Sequence, residues 1–326
     1  MNIVRLFSLA QATVNRLPEG LGRALFNVVG TSVGLSGSAG VRQLRVNQAR
    51  FTGKKSRRAS ARAMRSYMRY YYEAFRLPSL SEEQIRARVR AVGDEQLREE
   101  LSQSSAIAAL MHSGNWDLAG AWANLELGRV HTIAEKLEPE ELYEMFLDFR
   151  RGLGMTIYPL VKGGGALRRL EDDMREPQCF VPLLADRDLT ASGVEVTLNS
   201  HSLLVAAGPA LLAIRTGKPI FPIFSSYERI EGERAKQAGT RWGMRLDFCP
   251  PIYASTNATS SADEQAEDIA RMSQEWVSAL EPYLRAHLDD WHMLQKVFVA
   301  DLDPERLARA RATSAAQRTK AQGGQE

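Results

Sequence analysis

The segment Met111-His112-Ser113-Gly114-Asn115-Trp116-Asp117 sets an imidazole and a carboxylate five positions apart, with a serine and a glycine between them. Imidazole, with an unperturbed pKa of about 6.5, can take a proton from a hydroxyl at neutral pH. A turn through Gly114 would fold the Asp117 carboxylate onto one ring nitrogen and leave the other for a substrate. That is a base with its orienting anion. Ser113 adjoins His112, and adjacent side chains diverge, so a serine nucleophile activated by this base is not expected. The H-x4-D spacing also recurs by chance, and alone it specifies no reaction.

Other residues could contribute. Asp186-Arg187-Asp188 follows an apolar run, and reads either as part of a site or as a solvated turn with its own ion pairs. Taken alone, Glu135 and Arg150 read as surface charges. His287 and His292 fit a site, the core or the surface equally. His131 and Glu135 stand four positions apart, yet on a strand they share no helix face, so no metal is expected. Gly163-Gly164-Gly165 lacks the Lys-Ser/Thr of a phosphate-binding loop and reads as a connection. His201 reads as a loop residue. Cys179 and Cys249 lie in apolar segments, as buried thiols of a reducing compartment do, and no metal-binding cysteine spacing exists.

These groups need a scaffold, and the sequence predicts an α/β one. Strands are expected at 106–111, 130–134, 155–160, 179–184, 219–224 and 241–248. Helices are expected at 116–127, 139–151, 166–175, 206–216 and 263–287. The alternation predicts a mostly parallel central sheet flanked by helices. Ligand sites in such sheets lie at the carboxyl ends of strands, where His112 and Asp186 both fall. Residues 229–240 and 255–262 read as polar loops. Residues 1–77 are expected to be helices of the same domain, 78–302 the α/β core, and 303–326 a disordered tail. With 326 residues, 44% hydrophobic and 25% charged, the chain is not fibrous, disordered or a coiled coil.

The net charge of +3 conceals an asymmetry: residues 1–72 hold 13 Lys and Arg against the single acid Glu19. A basic block attracts polyanions. It is also a common form of solvated face. Leu21, Ala24, Leu25, Val28 and Val29 form one helical apolar stripe, and Met64, Tyr67, Met68, Tyr71, Tyr72 and Phe75 form another. Basic amphipathic helices sit in lipid headgroups, although either stripe could pack on the protein's own core. No apolar run reaches the roughly 18 residues of a membrane span, and the first 20 residues lack a signal-peptide cleavage pattern. The tyrosines stand at helical spacing, not on an alternating strand platform, so nucleic acid is not an expected partner.

His112-Ser113-Gly114-Asn115-Trp116-Asp117 resembles the H-x4-D/E block of the lysophospholipid and lipid A type acyltransferases. It looks most like the branch that acylates phosphatidylinositol mannosides in actinobacteria. The resemblance continues through Ala134-Glu135-Lys136-Leu137-Glu138-Pro139, Phe149-Arg150-Arg151-Gly152-Leu153-Gly154, Ala185-Asp186-Arg187-Asp188-Leu189, Ser192-Gly193-Val194-Glu195-Val196, Ala207-Gly208-Pro209-Ala210 and Asp290-Trp291-His292-Met293-Leu294-Gln295, over about residues 20 to 300. The mannoside branch usually has Glu where this chain has Asp186, which keeps the charge and shortens its reach. The F-P-E-G-T-R block of glycerol-phosphate acyltransferases is missing, and Asp117 stands where lipid A enzymes usually carry Glu.

The resemblance implies a glycerolipid acyltransferase-like fold with a membrane-facing N-terminal segment. It implies transfer of a long acyl chain from acyl-CoA to mannose, on the cytoplasmic face of the cell membrane, without cofactor or metal. In that reading His112, Asp117 and Asp186 are catalytic, while Glu135, Arg150, Arg187 and His287 bind substrate. The partners are acyl-CoA, the mannosylated phosphatidylinositol and an anionic membrane surface. Another glycolipid acceptor, such as a lipid A precursor, is the alternative within the family, and a non-catalytic membrane-bound scaffold is the alternative outside it.

Overall fold

The computed structural model describes residues 14, 16–136, 139–161, 165–188, 193–305, 307 and 308. Three helices come first, α1 (Glu19–Leu35), α2 (Ala39–Thr52) and α3 (Arg57–Arg76). Ser56 caps α3 by accepting a hydrogen bond from the Ala59 amide, which satisfies one of the unpaired donors of the first turn. α1 lies against α3 through glycine. A Cβ on Gly30 would stand 2.7 Å from the Met64 carbonyl oxygen, and one on Gly34 2.5 Å from the Ala61 Cα. Such close backbone contact turns the bulky residues of α1 outward, so Leu21, Leu25, Val28 and Val29 are exposed. The second expected stripe goes the other way. Met64 packs with Val41 and Leu44 of α2, and Tyr72 and Phe75 pack around Phe26. Only the first apolar stripe faces solvent.

A capping box of Ser81 and Gln84 opens α4 (Glu82–Arg88), which runs into β1 (Val89–Val92). That strand was not expected, because Val89-Arg90-Ala91-Val92 does not alternate strictly between apolar and polar. Then follow α5 (Glu95–Gln103), β2 (Ala106–Leu110), α6 (Trp116–Glu126), β3 (Arg129–Glu135), α7 (Glu140–Gly152), β4 (Thr156–Leu160), α8 (Ala166–Asp173) and β5 (Cys179–Leu184). From β2 onward these agree with the sequence reading to within a few residues at their ends. A hairpin of β6 (Val194–Leu198) and β7 (His201–Val205) comes next, turned by Asn199 and Ser200, both at positive φ. His201 therefore opens a strand, not a loop. The chain continues through α9 (Gly208–Thr216), β8 (Ile220–Arg229), α10 (Gly232–Ala238), β9 (Trp242–Phe248) and α11 (Ala262–Ala286), with α10 inside the stretch read as a polar loop.

The large sheet has the order β1-β9-β8-β2-β5-β3-β4, and every neighbouring pair is parallel except β8 with β9. This is the mostly parallel, helix-flanked architecture that the alternation predicts. β2 is central, and all five of its residues are buried. Its alternate side chains enter two cores: Ile107 and Ala109 join Trp276, Val277 and Leu280 of α11, while Ala108 and Leu110 join Leu118, Trp122 and Leu147 on the opposite face. Both cysteines are buried and free. Residues 1–13, the glycines at 163 and 164, and residues 309–326 of the expected tail lie outside the described residues.

Candidate active site

Strand register brings the two halves of the site together. β2 and β5 are adjacent and parallel, with Leu110 opposite Leu184. His112 and Asp186 each lie two residues beyond these partners, at the same edge of the sheet. His112 Nδ1–H donates to Asp186 Oδ1 at 2.5 Å. The other carboxylate oxygen accepts from the His112 backbone amide at 2.9 Å and from Trp291 Nε1 at 2.8 Å. Asp186 is fully buried. Burial alone would raise its pKa, but the His112 charge and the hydrogen bonds from the ring, the indole and the amide bring it below the usual aspartate value. An ionised carboxylate can only accept, so in the neutral imidazole the ring proton belongs on Nδ1 and the lone pair on Nε2.

The turn that carries His112 is laced to the segment after α11. Gly114 has φ of +61°, and a Cβ there would lie 3.1 Å from the Ser225 carbonyl oxygen. Glycine meets both demands. The Gly114 amide donates to the Asp290 carbonyl at 3.0 Å, and the His292 amide donates to the His112 carbonyl at 2.8 Å. Ser113 is buried against Ser225, whose hydroxyl donates to the Ser113 carbonyl at 2.5 Å, so Ser113 has no access to a substrate.

Asp117 does not orient His112. Asn115 caps α6 by accepting from the Leu118 amide at 3.0 Å, and the helix that starts there carries residue 117 toward α3 and α7. There Asp117 accepts from Arg150 Nε at 2.6 Å and from the Tyr70 hydroxyl at 2.8 Å. Burial works against the Arg150 charge, but Asp117 outweighs it and raises the arginine's pKa. Burial, reinforced by the Asp117 charge, pushes the Tyr70 phenol well up, so it stays a neutral donor. The expected imidazole–Asp117 contact is thus replaced by imidazole–Asp186, and the two carboxylates have different partners.

His112, Asp117, Glu135, Arg150 and Arg187 line one cavity of about 490 Å³. Glu135 and Arg187 form an ion pair at its edge. The cavity continues past apolar groups of the sheet and α6, including Leu110, Trp122, Phe180 and Ile223. A charged rim over an apolar interior suits an amphipathic substrate. His287 is not among the lining residues. It follows the last residue of α11, with its ring 6.3 Å from Phe224, because the helix ends before the chain turns back to the site. His292 lies closer, buried beneath Tyr67 at a ring separation of 4.8 Å. Burial, aided by the charges of Arg69 and His112, lowers its pKa to about 3, so it is neutral. His131 pairs with Asp173 at 2.7 Å, away from Glu135 and its partner Arg187.

The model of the bacterial lipid A biosynthesis acyltransferase family matches residues 3–299. The chain belongs to this family. It is 34% identical over 306 residues to the phosphatidylinositol mannoside acyltransferase of Mycolicibacterium smegmatis, covering 91% of each chain. It is 33% identical over 279 residues to the protein of the same name from Mycobacterium tuberculosis, covering 83% of this chain and 81% of that one. In this acyltransferase the residues missed at the level of sequence are Tyr70 and Trp291, the donors to Asp117 and Asp186. Tyr70 lies in a tyrosine-rich helix where no single ring stands out, and Trp291 sits inside one of the resembling blocks. Neither has a spacing that marks its partner.

Proposed function

We propose that this acyltransferase moves a long-chain acyl group from acyl-CoA to a mannose hydroxyl of a phosphatidylinositol mannoside. His112 Nε2 takes the hydroxyl proton while the oxygen attacks the thioester carbonyl carbon. The carbon–sulfur bond breaks, the thiolate leaves, and the imidazolium proton returns to it or to water. No acyl-enzyme forms. A thiolate leaves readily without Lewis-acid help, so one base covers the main need and no metal or cofactor enters the reading. Asp186 keeps Nδ1 protonated and balances the imidazolium. The acyl chain takes the apolar interior, each buried methylene contributing about 0.8 kcal/mol, and Glu135, Arg150 and Arg187 grip the sugar.

What supports this reading above all is the pairing of a partly exposed His112 with the buried Asp186 at the charged end of a cavity that is otherwise apolar. The names of the two relatives favour mannoside as acceptor over a lipid A precursor. We also propose that the enzyme works as a peripheral protein on the cytoplasmic face of the membrane. The basic N-terminal helices and the outward apolar stripe of α1 support this. Among the described residues no single helix is long and apolar enough to cross a bilayer, and the α1–α2 pair that passes by length and composition is bent by 80°. Incubation with palmitoyl-CoA and purified phosphatidylinositol mannoside, followed by mass spectrometry, tests the activity. An added acyl mass on the mannose, absent with His112→Ala, is the expected product. Acylation of a lipid A precursor in preference to the mannoside would replace the acceptor.

A further inference from the structure

The corner where α1 turns into α2, and α2 into α3, holds a cavity of about 640 Å³ lined by Arg42, Arg45, Lys55, Arg57 and Lys296, with no carboxylate in its lining. Arg45 is 9% exposed, and its guanidinium donates to neutral oxygens only: the Ser60 hydroxyl and the Gly34 and Ser36 carbonyls. Among the described residues none of the five cations forms an ion pair with a carboxylate. Asp301, the acid that also touches the lining residue Gln43, is paired with Arg50 at 2.6 Å. A buried cation among like charges without a counter-ion is costly unless an anion joins it. Burial and the charge of Arg57 together weaken the proton affinity of Arg45, as that cost implies.

The same guanidinium binds the carbonyls on either side of Leu35, which is 46% exposed at the end of the outward apolar stripe of α1. The apolar surface therefore adjoins the positive cavity through Arg45. We propose that this corner binds the phosphate of an anionic phospholipid headgroup, with the α1 stripe lying among the adjoining acyl chains. The phosphate would stand against Arg45, with Arg42, Lys55, Arg57 and Lys296 around it. This site rests on the membrane-docked reading above and adds a phosphate-specific contact to it.

Vesicle sedimentation of the full chain tests the site, without reference to acyl transfer. One set of phosphatidylcholine vesicles carries phosphatidylinositol, and another carries cholesteryl hemisuccinate, a carboxylate, at equal surface potential. Wild type is expected to bind the first about tenfold more tightly or better. Because Arg45 also holds α1 in place, the variants avoid it. Lys55→Gln with Lys296→Gln lowers binding to phosphatidylinositol vesicles roughly tenfold and binding to hemisuccinate vesicles by about twofold at most. Lys54→Gln with Arg58→Gln removes equal charge outside the cavity and keeps the preference. Equal binding of wild type to both vesicle types, or an equal loss on both in the Lys55/Lys296 variant, overturns the site but leaves electrostatic docking standing. Binding to neither overturns the docking as well. Inorganic phosphate at constant ionic strength is expected to compete weakly, since it lacks the apolar half of the attachment. Full displacement by about 10 mM phosphate would assign the corner to a soluble anion instead.

Discussion

Trp291 donates its indole N–H to Asp186 Oδ2 at 2.8 Å, on the oxygen that also accepts the His112 backbone amide. Oδ1 is left for the imidazole. The segment after α11 thus reaches across the carboxyl edge of the sheet and fixes the carboxylate from behind. Replacing Trp291 with Phe removes one hydrogen bond to an anion and keeps an aromatic ring in the buried site. A fall in kcat of about tenfold is expected, with both KM values nearly unchanged, since a hydrogen bond to a charged group contributes about 1.5–3 kcal/mol. Steady-state kinetics on a variant of unchanged circular dichroism checks it. Unaltered kcat would show that the other two donors suffice.

His112→Ala is expected to lower acyl transfer by about 10²–10⁴-fold in a folded protein, the range for loss of a general base. Asp186→Asn keeps the shape but lets the amide accept or donate, so the imidazole tautomer is no longer enforced. Its effect should approach that of His112→Ala, and the double variant should be little worse than either single one. Additive losses in the double variant would separate the two residues.

Asp117 and Arg150 lie 2.6 Å apart and largely buried, so they stand or fall together. Asp117→Asn leaves the Arg150 charge without its anion, and a loss of about 3–5 kcal/mol in stability is expected in urea unfolding. Arg150→Ala and Glu135→Gln should raise the KM for the sugar acceptor more than that for acyl-CoA. Kinetics with both substrates varied decides the point. A rise confined to the acyl-CoA KM would move these side chains to the donor.

Far from the cavity, Asp268 accepts from the Ser255 amide at 2.8 Å, the Thr256 amide and hydroxyl at 2.9 Å, and Arg271 Nε at 2.9 Å. Burial opposes its charge, but Arg271 and these donors hold its pKa at about 2, against an ordinary 3.8. A depressed carboxylate pKa contributes stability that is present above the unfolded value and lost as pH falls through the folded one. Asp268→Asn should therefore cost about 2 kcal/mol at pH 7, with the gap to wild type closing between pH 4 and pH 2. Urea denaturation across that range measures it. A constant gap would mean that the hydrogen bonds are indifferent to charge.

Much of this protein is local in origin. The buried runs of β2 and β5 are apolar throughout, and a chemistry-bearing residue directly after such a run must emerge at the carboxyl edge of the sheet. His112 and Asp186 were legible on that ground, as was the exposed stripe of α1 as a pattern. Which carboxylate meets the imidazole was not legible. Asp117 is nearer along the chain, but a helix starting at Trp116 turns it away, while Asp186, 74 positions distant, arrives because β5 lies beside β2. Strand order is set by how helices cover the whole sheet, and no window of sequence contains it. The two apolar stripes of the N-terminal helices look alike in periodicity. Their fates part because Gly30 and Gly34 let α1 approach α3 backbone to backbone, which buries the rings of α3 and leaves the leucines and valines of α1 outside.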